Sequence, residues 1–275
     1  MQKSFWIGTI LAGLGLASVW VLAQTQSQTV MGASGVLFGA KVTSWAKLNA
    51  QKVVQEVGLS IPLQAIQNAP EPSAGEAPPT QTDAMMAIMM QGPTLRLELP
   101  EAVKQSTFLD HVDLYWEKFG HPPDRYLTPH FDIHFFGVPS AAVDKIDCKN
   151  LTPPALELTP KGYAPAVPPG ANAAEFCVPL MGFHGLPLSE FAAPGQLKPG
   201  LFDYTLISGF YNNQYIFTEP MITKAFLLKK QGFSEAVSRP VTVGRTTLYP
   251  TRFSLSFDPQ ANAYNLVYSG FVAGQ

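Results

Sequence analysis

A short run near the middle of the chain places two histidines and a carboxylate at the spacing of a β-strand. Within the segment 130–135, His130, Asp132 and His134 alternate with apolar residues. Because successive side chains of a strand point to opposite faces, the three polar groups are expected on one face and the apolar groups on the other. Two imidazoles at this spacing can approach one metal ion, and Asp132 can complete the site or orient a histidine ring.

Two further motif residues carry side chains of the metal-ligating type. His184 follows the sequence Val178-Pro-Leu-Met-Gly-Phe, and Glu219 lies directly after an expected strand. The set His130, His134, His184 and Glu219 would supply three imidazoles and one carboxylate, which suits Zn²⁺, Mn²⁺, Fe²⁺ or Ni²⁺. Metalloproteins of the cupin type use a similar inventory of ligands, but their spacing, with a glutamate a few residues after the second histidine, is absent here.

The same residues also fit a buried polar network that binds no ligand. In that alternative Asp132 accepts from both flanking histidines and Glu219 bonds to backbone amides, which would fix a core or an oligomer interface. Both interpretations remain open from the sequence. Of the other histidines, His121 is expected to position a loop between Gly120 and Pro122, and His111 is expected to be a solvated surface group.

The chain does not carry the motifs of several common catalytic schemes. It has no Gly-x-Ser-x-Gly elbow, no glycine-rich phosphate loop and no dinucleotide fingerprint. A carboxylate pair for glycoside hydrolysis could be drawn from Asp132 and Glu219, but the sequence sets no separation between them. No catalytic residue is therefore predicted. If a metal had only three protein ligands, a bound water could act as a nucleophile, with Asp132 as the base.

Composition and the N-terminus predict an exported protein. The chain has 18 basic and 20 acidic side chains and no basic block, which argues against nucleic acid as a partner. An uncharged apolar run from Phe5 to Leu22 follows Lys3 and ends at Ala23, as in a signal peptide that is cleaved after Ala23. The alternative is an uncleaved anchor, because the run is long enough to span a bilayer. We expect a signal peptide at 1–23, a linker at 24–35, and a periplasmic or secreted domain at 36–275 without a membrane segment.

The two cysteines, Cys148 and Cys177, are expected to form one disulfide in an oxidising compartment. This bond would close a proline-rich insert at 148–177 and contribute about 3 kcal/mol in the chain-entropy model. A metal site is the weaker alternative, because neither cysteine has a partner at a ligand-like spacing.

The remaining chain predicts a mainly β fold, either an antiparallel sandwich or a distorted barrel, with one or two short helices. A loop rich in proline and glycine is expected at 68–82, and a hairpin turn at Asn212-Asn213. Strands are expected at 36–48, 52–61, 95–99, 112–116, 202–210, 215–218, 251–257 and 264–271. Helices are expected at 84–90, where methionines cluster for packing, and at 222–230.

Several segments together resemble a family of secreted bacterial proteins of unknown function, the sigma-E-regulated, homo-oligomeric Thermus hypothetical protein type. The resemblance rests on the sequence motifs at 108–116, 120–123, 129–135, 178–184, 217–224 and 249–252. It implies a β-rich, exported protein that forms homo-oligomers and has no established activity. One departure is Gly185, where the family usually has tryptophan, and the insert at 151–170 is peculiar to this chain.

Overall fold

A computed structural model describes residues 27–76 and 92–274. The expected signal peptide with its cleavage site at Ala23, and the expected methionine-rich helix at 84–90, lie outside these residues. The described chain is mainly β, as predicted, with antiparallel sheets, one of them curled into a half-barrel, and four short helices.

The first large sheet has six antiparallel strands. In the order in which they pair, these are β1 (Gln28–Leu37), β2 (Ala40–Leu48), β3 (Val54–Pro62), β16 (Ala263–Ser269), β15 (Arg252–Asp258) and β13 (Phe233–Ala236).

The second large sheet has seven antiparallel strands. It carries all the candidate metal ligands, which are His130, Asp132, His134, His184 and Glu219. In pairing order, these are β4 (Leu95–Glu98), β5 (His111–Glu117), β6 (His130–Phe136), β12 (Gln214–Thr223), β11 (Tyr204–Tyr211), β8 (Gly182–Gly185) and β7 (Cys177–Val178).

Shorter elements complete the described chain. Two small sheets pair β9 (Phe191–Ala193) with β10 (Gln196–Leu197), and β14 (Thr247–Tyr249) with β17 (Val272–Gly274). The helices are α1 (Leu63–Asn68), α2 (Glu101–Ser106), α3 (Ser140–Val143) and α4 (Lys224–Leu228).

The main apolar core lies between the two large sheets. Phe135 of β6 packs edge-to-face on Tyr268 of β16, with ring centroids 4.8 Å apart. Close packing leaves a void of only about 10 Å³ between the sheets, which is room for no more than about one water. Removal of this apolar surface from water is the main favourable contribution to folding.

Strand β6 is buried along its whole length, on both faces. The apolar residues Phe131, Ile133 and Phe135 belong to the core between the sheets, as the alternation predicts. The opposite face carries His130, Asp132 and His134, and it is also shielded from solvent. Loops and short elements therefore cover a polar layer on the outer side of the second sheet.

Turn chemistry accounts for the tight hairpins. Asn212 and Asn213 have φ values of 51° and 53°, a left-handed conformation that asparagine tolerates, and they join β11 to β12 as predicted. The expected helix at 222–230 is shorter, because β12 continues through Thr223. The Thr223 side chain then accepts a hydrogen bond from the Phe226 amide and caps α4.

The disulfide between Cys148 and Cys177 is present, with Cα atoms 5.8 Å apart. The insert that it closes contains two short 3₁₀ turns, Leu156–Leu158 and Ala173–Glu175. In the described part of the loop expected at 68–82, residues 70–76 are irregular and mostly exposed. None of the helices in the described chain is both long and apolar enough to traverse a bilayer.

The packing predicts that Phe135→Ala lowers the free energy of unfolding by about 3–5 kcal/mol, because it removes a fully buried ring and leaves a cavity between the sheets. Urea denaturation followed by circular dichroism measures the change. Leu156→Ala is the control, since Leu156 is 72% exposed and its truncation should cost no more than about 0.5 kcal/mol. Equal losses from the two variants would contradict the assignment of the core.

Candidate metal centre

Three strands, β6, β12 and β8, bring polar side chains to the outer face of the second sheet, and β11 lies between β12 and β8. Strand β12 pairs with β6 so that Met221 lies opposite Asp132 and Phe217 opposite Phe136. Glu219, midway between Phe217 and Met221, is therefore level with His134. On the other side of β12, Gly209 of β11 pairs with both Phe217 and His184. This register places His184 on the same face as Glu219.

The candidate residues form two clusters. In the first cluster, His134, His184 and Glu219 place one ligand atom each within 4.8 Å of one another. The His134 Nε2 atom lies 3.4 Å from Glu219 Oε2. The rings of His134 and His184 are nearly perpendicular, with ring centroids 6.1 Å apart.

The second cluster contains His121, His130 and Asp132, whose ligand atoms also lie within 4.8 Å of one another. Asp132 Oδ1 is 3.0 Å from His130 Nε2, and Asp132 Oδ2 is 3.3 Å from His121 Nε2. The structure thus divides the predicted set, because His130 joins this cluster whereas His134, His184 and Glu219 make up the other.

Two histidines differ from their sequence-based expectations. The expectation of a solvated group is wrong for His111, which is fully buried and stacks on Phe136 with ring centroids 5.0 Å apart. His121 does contact its own loop, through Nδ1 and the carbonyl of Pro122 at 2.9 Å. Its other nitrogen faces Asp132, so His121 is also part of a cluster that the sequence did not predict for it.

Buried polar atoms without hydrogen-bond partners concentrate at the two clusters. Among the described residues, five of the seven such side-chain atoms belong to them. The five atoms are His130 Nε2, Asp132 Oδ1, His134 Nδ1, His134 Nε2 and Glu219 Oε2. Each buried unsatisfied polar atom costs about 1–3 kcal/mol, so this concentration is unfavourable for folding by itself.

Burial shifts the protonation of the first cluster toward neutral forms. Desolvation, together with the charges of nearby histidines, lowers the pKa of His134 to about 3. Burial likewise lowers the pKa of His184 to about 4. Burial, followed by repulsion from Asp132, raises the pKa of Glu219 well above its usual range. The rings of His134 and His184 are therefore neutral at neutral pH, and the neutral imidazole is the form that coordinates metals.

The second cluster has the opposite electrostatic character. Burial disfavours the charge on His121, but bonding to Asp132 outweighs it and raises the His121 pKa to about 9. Burial alone would raise the pKa of the Asp132 carboxyl, yet His130 and His121 hold it below its usual range. Glu117 pairs with His130 across β5 and β6, and burial beside Asp132 raises its pKa to about 7. Sequence reasoning missed Glu117, although its position at the end of β5, before the loop that carries His121, was a usable signal.

Aromatic side chains enclose the clusters on both sides. His134 meets the Phe217 ring edge-to-face at 4.6 Å, and His184 meets the same ring at 5.3 Å. Phe202 packs against His130 at 5.2 Å. These rings exclude water, which lowers the local dielectric constant and strengthens the electrostatic interactions inside.

The fold and the site define a mainly β protein that buries two histidine–carboxylate clusters on the outer face of a sheet. Residues 50–116 match the family model for TTHB210-like proteins, described as Hypothetical protein TTHB210. This match confirms the family resemblance that the sequence motifs indicated. The matched segment runs from the turn before β3 to the penultimate residue of β5. No curated protein and no solved structure matches the chain.

The packing around Phe217 yields a prediction about Gly209. A Cβ atom at this position would lie 2.0 Å from Phe217 Cε1, so Gly209→Ala must displace the ring that supports His134 and His184. We expect a loss of about 1–3 kcal/mol in stability. We also expect changed imidazole chemical shifts for these two histidines in NMR spectra.

Gly274→Ala is the matched control for this substitution. A Cβ atom there has its nearest contact at 3.5 Å, and the backbone is not in the left-handed region. This variant should retain both the stability and the imidazole signals of the wild type. Unchanged imidazole signals in Gly209→Ala would show that Phe217 does not position the two rings.

Proposed function

We propose that this protein binds a divalent metal ion through His134, His184 and Glu219. The observation that carries the proposal is the convergence of three ligand-type atoms within 4.8 Å, two of which belong to the buried His134 and Glu219 and lack protein partners. Buried charges and polar groups are stable only when they are paired, hydrogen-bonded or coordinated to a metal. A cation at this point would satisfy His134 and Glu219 and would have His184 as its third ligand.

The spacing of the ligand atoms also supports coordination. Zinc–nitrogen and zinc–oxygen bonds of about 2.1 Å place two ligands of a tetrahedral ion about 3.4 Å apart. His134 Nε2 and Glu219 Oε2 are separated by 3.4 Å. The backbone register that sets this separation belongs to adjacent strands, which hold ligands more precisely than loops do.

The alternative from the sequence, a closed polar network, fits the contacts less well. Asp132 does not bridge its two flanking histidines, because its oxygens face His130 and His121. A protonated Glu219 could donate to His134, but their closest atoms are not aligned for a hydrogen bond. A network that leaves its members unsatisfied has no advantage over an apolar core.

The types of ligand atom indicate which metals the site can bind, but they do not show whether the bound metal has a catalytic role. Two imidazoles and one carboxylate suit Zn²⁺, Mn²⁺, Fe²⁺ or Ni²⁺. Three protein ligands leave a coordination position for water, whereas a fourth would close the site. The proposal is therefore metal binding, and no enzymatic activity is assigned to the site.

We further propose that the protein works outside the cytoplasm, in the periplasm or as a secreted protein. The disulfide between Cys148 and Cys177 supports an oxidising compartment. The apolar N-terminal run, with Val21 and Ala23 at the positions where a signal peptidase prefers small residues, supports export.

The proposal predicts that protein purified without chelators contains metal at the site, detectable by inductively coupled plasma mass spectrometry. His184→Ala and Glu219→Gln should each lower the metal content by about one ion per chain, because either change removes one of three ligands. His111→Ala is the matched control, since His111 is also a buried histidine but lies outside both clusters. Wild-type content that neither ligand variant lowers would refute the site.

A second candidate function, a structural role as a homo-oligomer, is favoured by strand β1. This strand of ten residues is at the end of the first sheet, where Met31 is 62% and Val36 is 69% exposed. An end strand offers unpaired backbone groups, and exposed apolar side chains on it suit pairing with a second copy.

This candidate predicts a mass above that of one chain in size-exclusion chromatography with light scattering. The double substitution of Met31→Glu and Val36→Glu should shift the protein to the monomer, because it places charges on the exposed strand. Leu201→Glu, at a 59% exposed loop position, should leave the mass unchanged. A monomeric wild type at all accessible concentrations would exclude the oligomer.

A further inference from the structure

We infer that His121, His130 and Asp132 form a second divalent-metal site beside the first. The inference concerns residues that the first site does not use, so it stands independently of the proposed function. Its ligand set is again two imidazoles and one carboxylate, and His130 and Asp132 are almost completely buried.

Backbone contacts determine which nitrogen of each histidine is free to bind. His130 Nδ1 lies 2.6 Å from the carbonyl oxygen of Thr128, and His121 Nδ1 lies 2.9 Å from that of Pro122. A carbonyl oxygen only accepts hydrogen bonds, so each Nδ1 carries the proton. In the neutral ring the lone pair is then on Nε2, the arrangement that metal-binding histidines usually show.

The Nε2 atoms of both rings face the same carboxylate. His130 Nε2 is 3.0 Å from Asp132 Oδ1, and His121 Nε2 is 3.3 Å from Asp132 Oδ2. A divalent cation between these atoms would replace the ring protons that otherwise pair with the carboxylate, and it would bind all three groups at once. Ligand atoms about 2.1 Å from a common ion are about 3.0 Å apart at right angles and about 3.4 Å apart in a tetrahedron. The two observed separations lie in this interval.

A proton on Nε2 of His130, which would make an ordinary ion pair with Asp132, fits the geometry less well. His130 Nε2 and Asp132 Oδ1 are buried and close, yet they are not aligned for a hydrogen bond. A charge-assisted hydrogen bond in a buried pair normally aligns donor and acceptor. The metal ion accounts for a close approach without such alignment.

The two sites are neighbours on one strand. Asp132 and His134 are alternate residues of β6 on the same face, which places their Cα atoms about 7 Å apart. His121 comes from the loop between β5 and β6, and its side chain is 17% exposed. Together the two sites make a pair of adjacent metal positions, each with one partly exposed histidine, His121 or His184.

Zinc titration of the intact chain, stripped with a chelator, tests the second site. Isothermal titration calorimetry should show two Zn²⁺ per wild-type chain and one per chain in His121→Ala or Asp132→Asn. The affinity of the lost site should fall by more than the roughly 10–100-fold that removal of an outer hydrogen-bond partner costs. Glu219→Gln should also retain one Zn²⁺, combination with His121→Ala should retain none, and His111→Ala should keep two.

The outcomes separate this inference from the proposed function. One Zn²⁺ per wild-type chain, lost in Glu219→Gln and retained in His121→Ala and Asp132→Asn, overturns the second site and leaves the first. One Zn²⁺ that is lost in His121→Ala and retained in Glu219→Gln supports the second site and overturns the first. No binding to the wild type overturns both. Circular dichroism verifies folding, and His121→Gln replaces His121→Ala if the smaller side chain disturbs the loop.

Discussion

Burial of the central strand β6 on both of its faces is the constraint from which the rest of the structure follows. One face is apolar and packs between the sheets, whereas the other places His130, Asp132 and His134 where water does not reach. Removing such groups from water costs several kcal/mol unless partners replace the lost hydration. The neighbouring strands and loops therefore place polar side chains against this face of β6.

The loop between β5 and β6 contributes one of these polar side chains. It carries His121 to Asp132, and it is fixed to the rest of the molecule by Arg125. The Arg125 guanidinium pairs with the buried Glu190 at 2.5 Å and donates to the carbonyl of Gly200 at 3.1 Å. Tyr126 in the same loop also donates to Glu190. Ion pairs with little exposure hold a loop more firmly than surface pairs do, so His121 is held in position although it lies outside the strands.

Stability and chemistry reside on opposite faces of the same sheet. The apolar face, with contacts such as that of Phe135 and Tyr268, contributes most of the favourable burial. The polar face leaves five buried atoms without protein partners, which a fold selected for stability alone would replace by apolar groups. The cost is tolerable because the apolar core offsets it, and it is consistent with a layer that is completed by bound cations. Among the described residues, all seven buried polar atoms without partners belong to strands β5, β6 and β12 of the second sheet, and none belongs to the first sheet.

The sequence by itself determined the alternation of β6, the hairpin at Asn212-Asn213, the disulfide and the mainly β class, because each depends on local period, turn chemistry or residue count. It also selected His130, His134, His184 and Glu219 as ligand-type residues of one site. Only the tertiary structure decided which residues meet. The register of β6, β12, β11 and β8 joins His134 to Glu219 and His184, whereas a loop brings His121 to His130. Strand register and loop paths depend on contacts between residues far apart in the chain. The local pattern that makes a strand does not specify them.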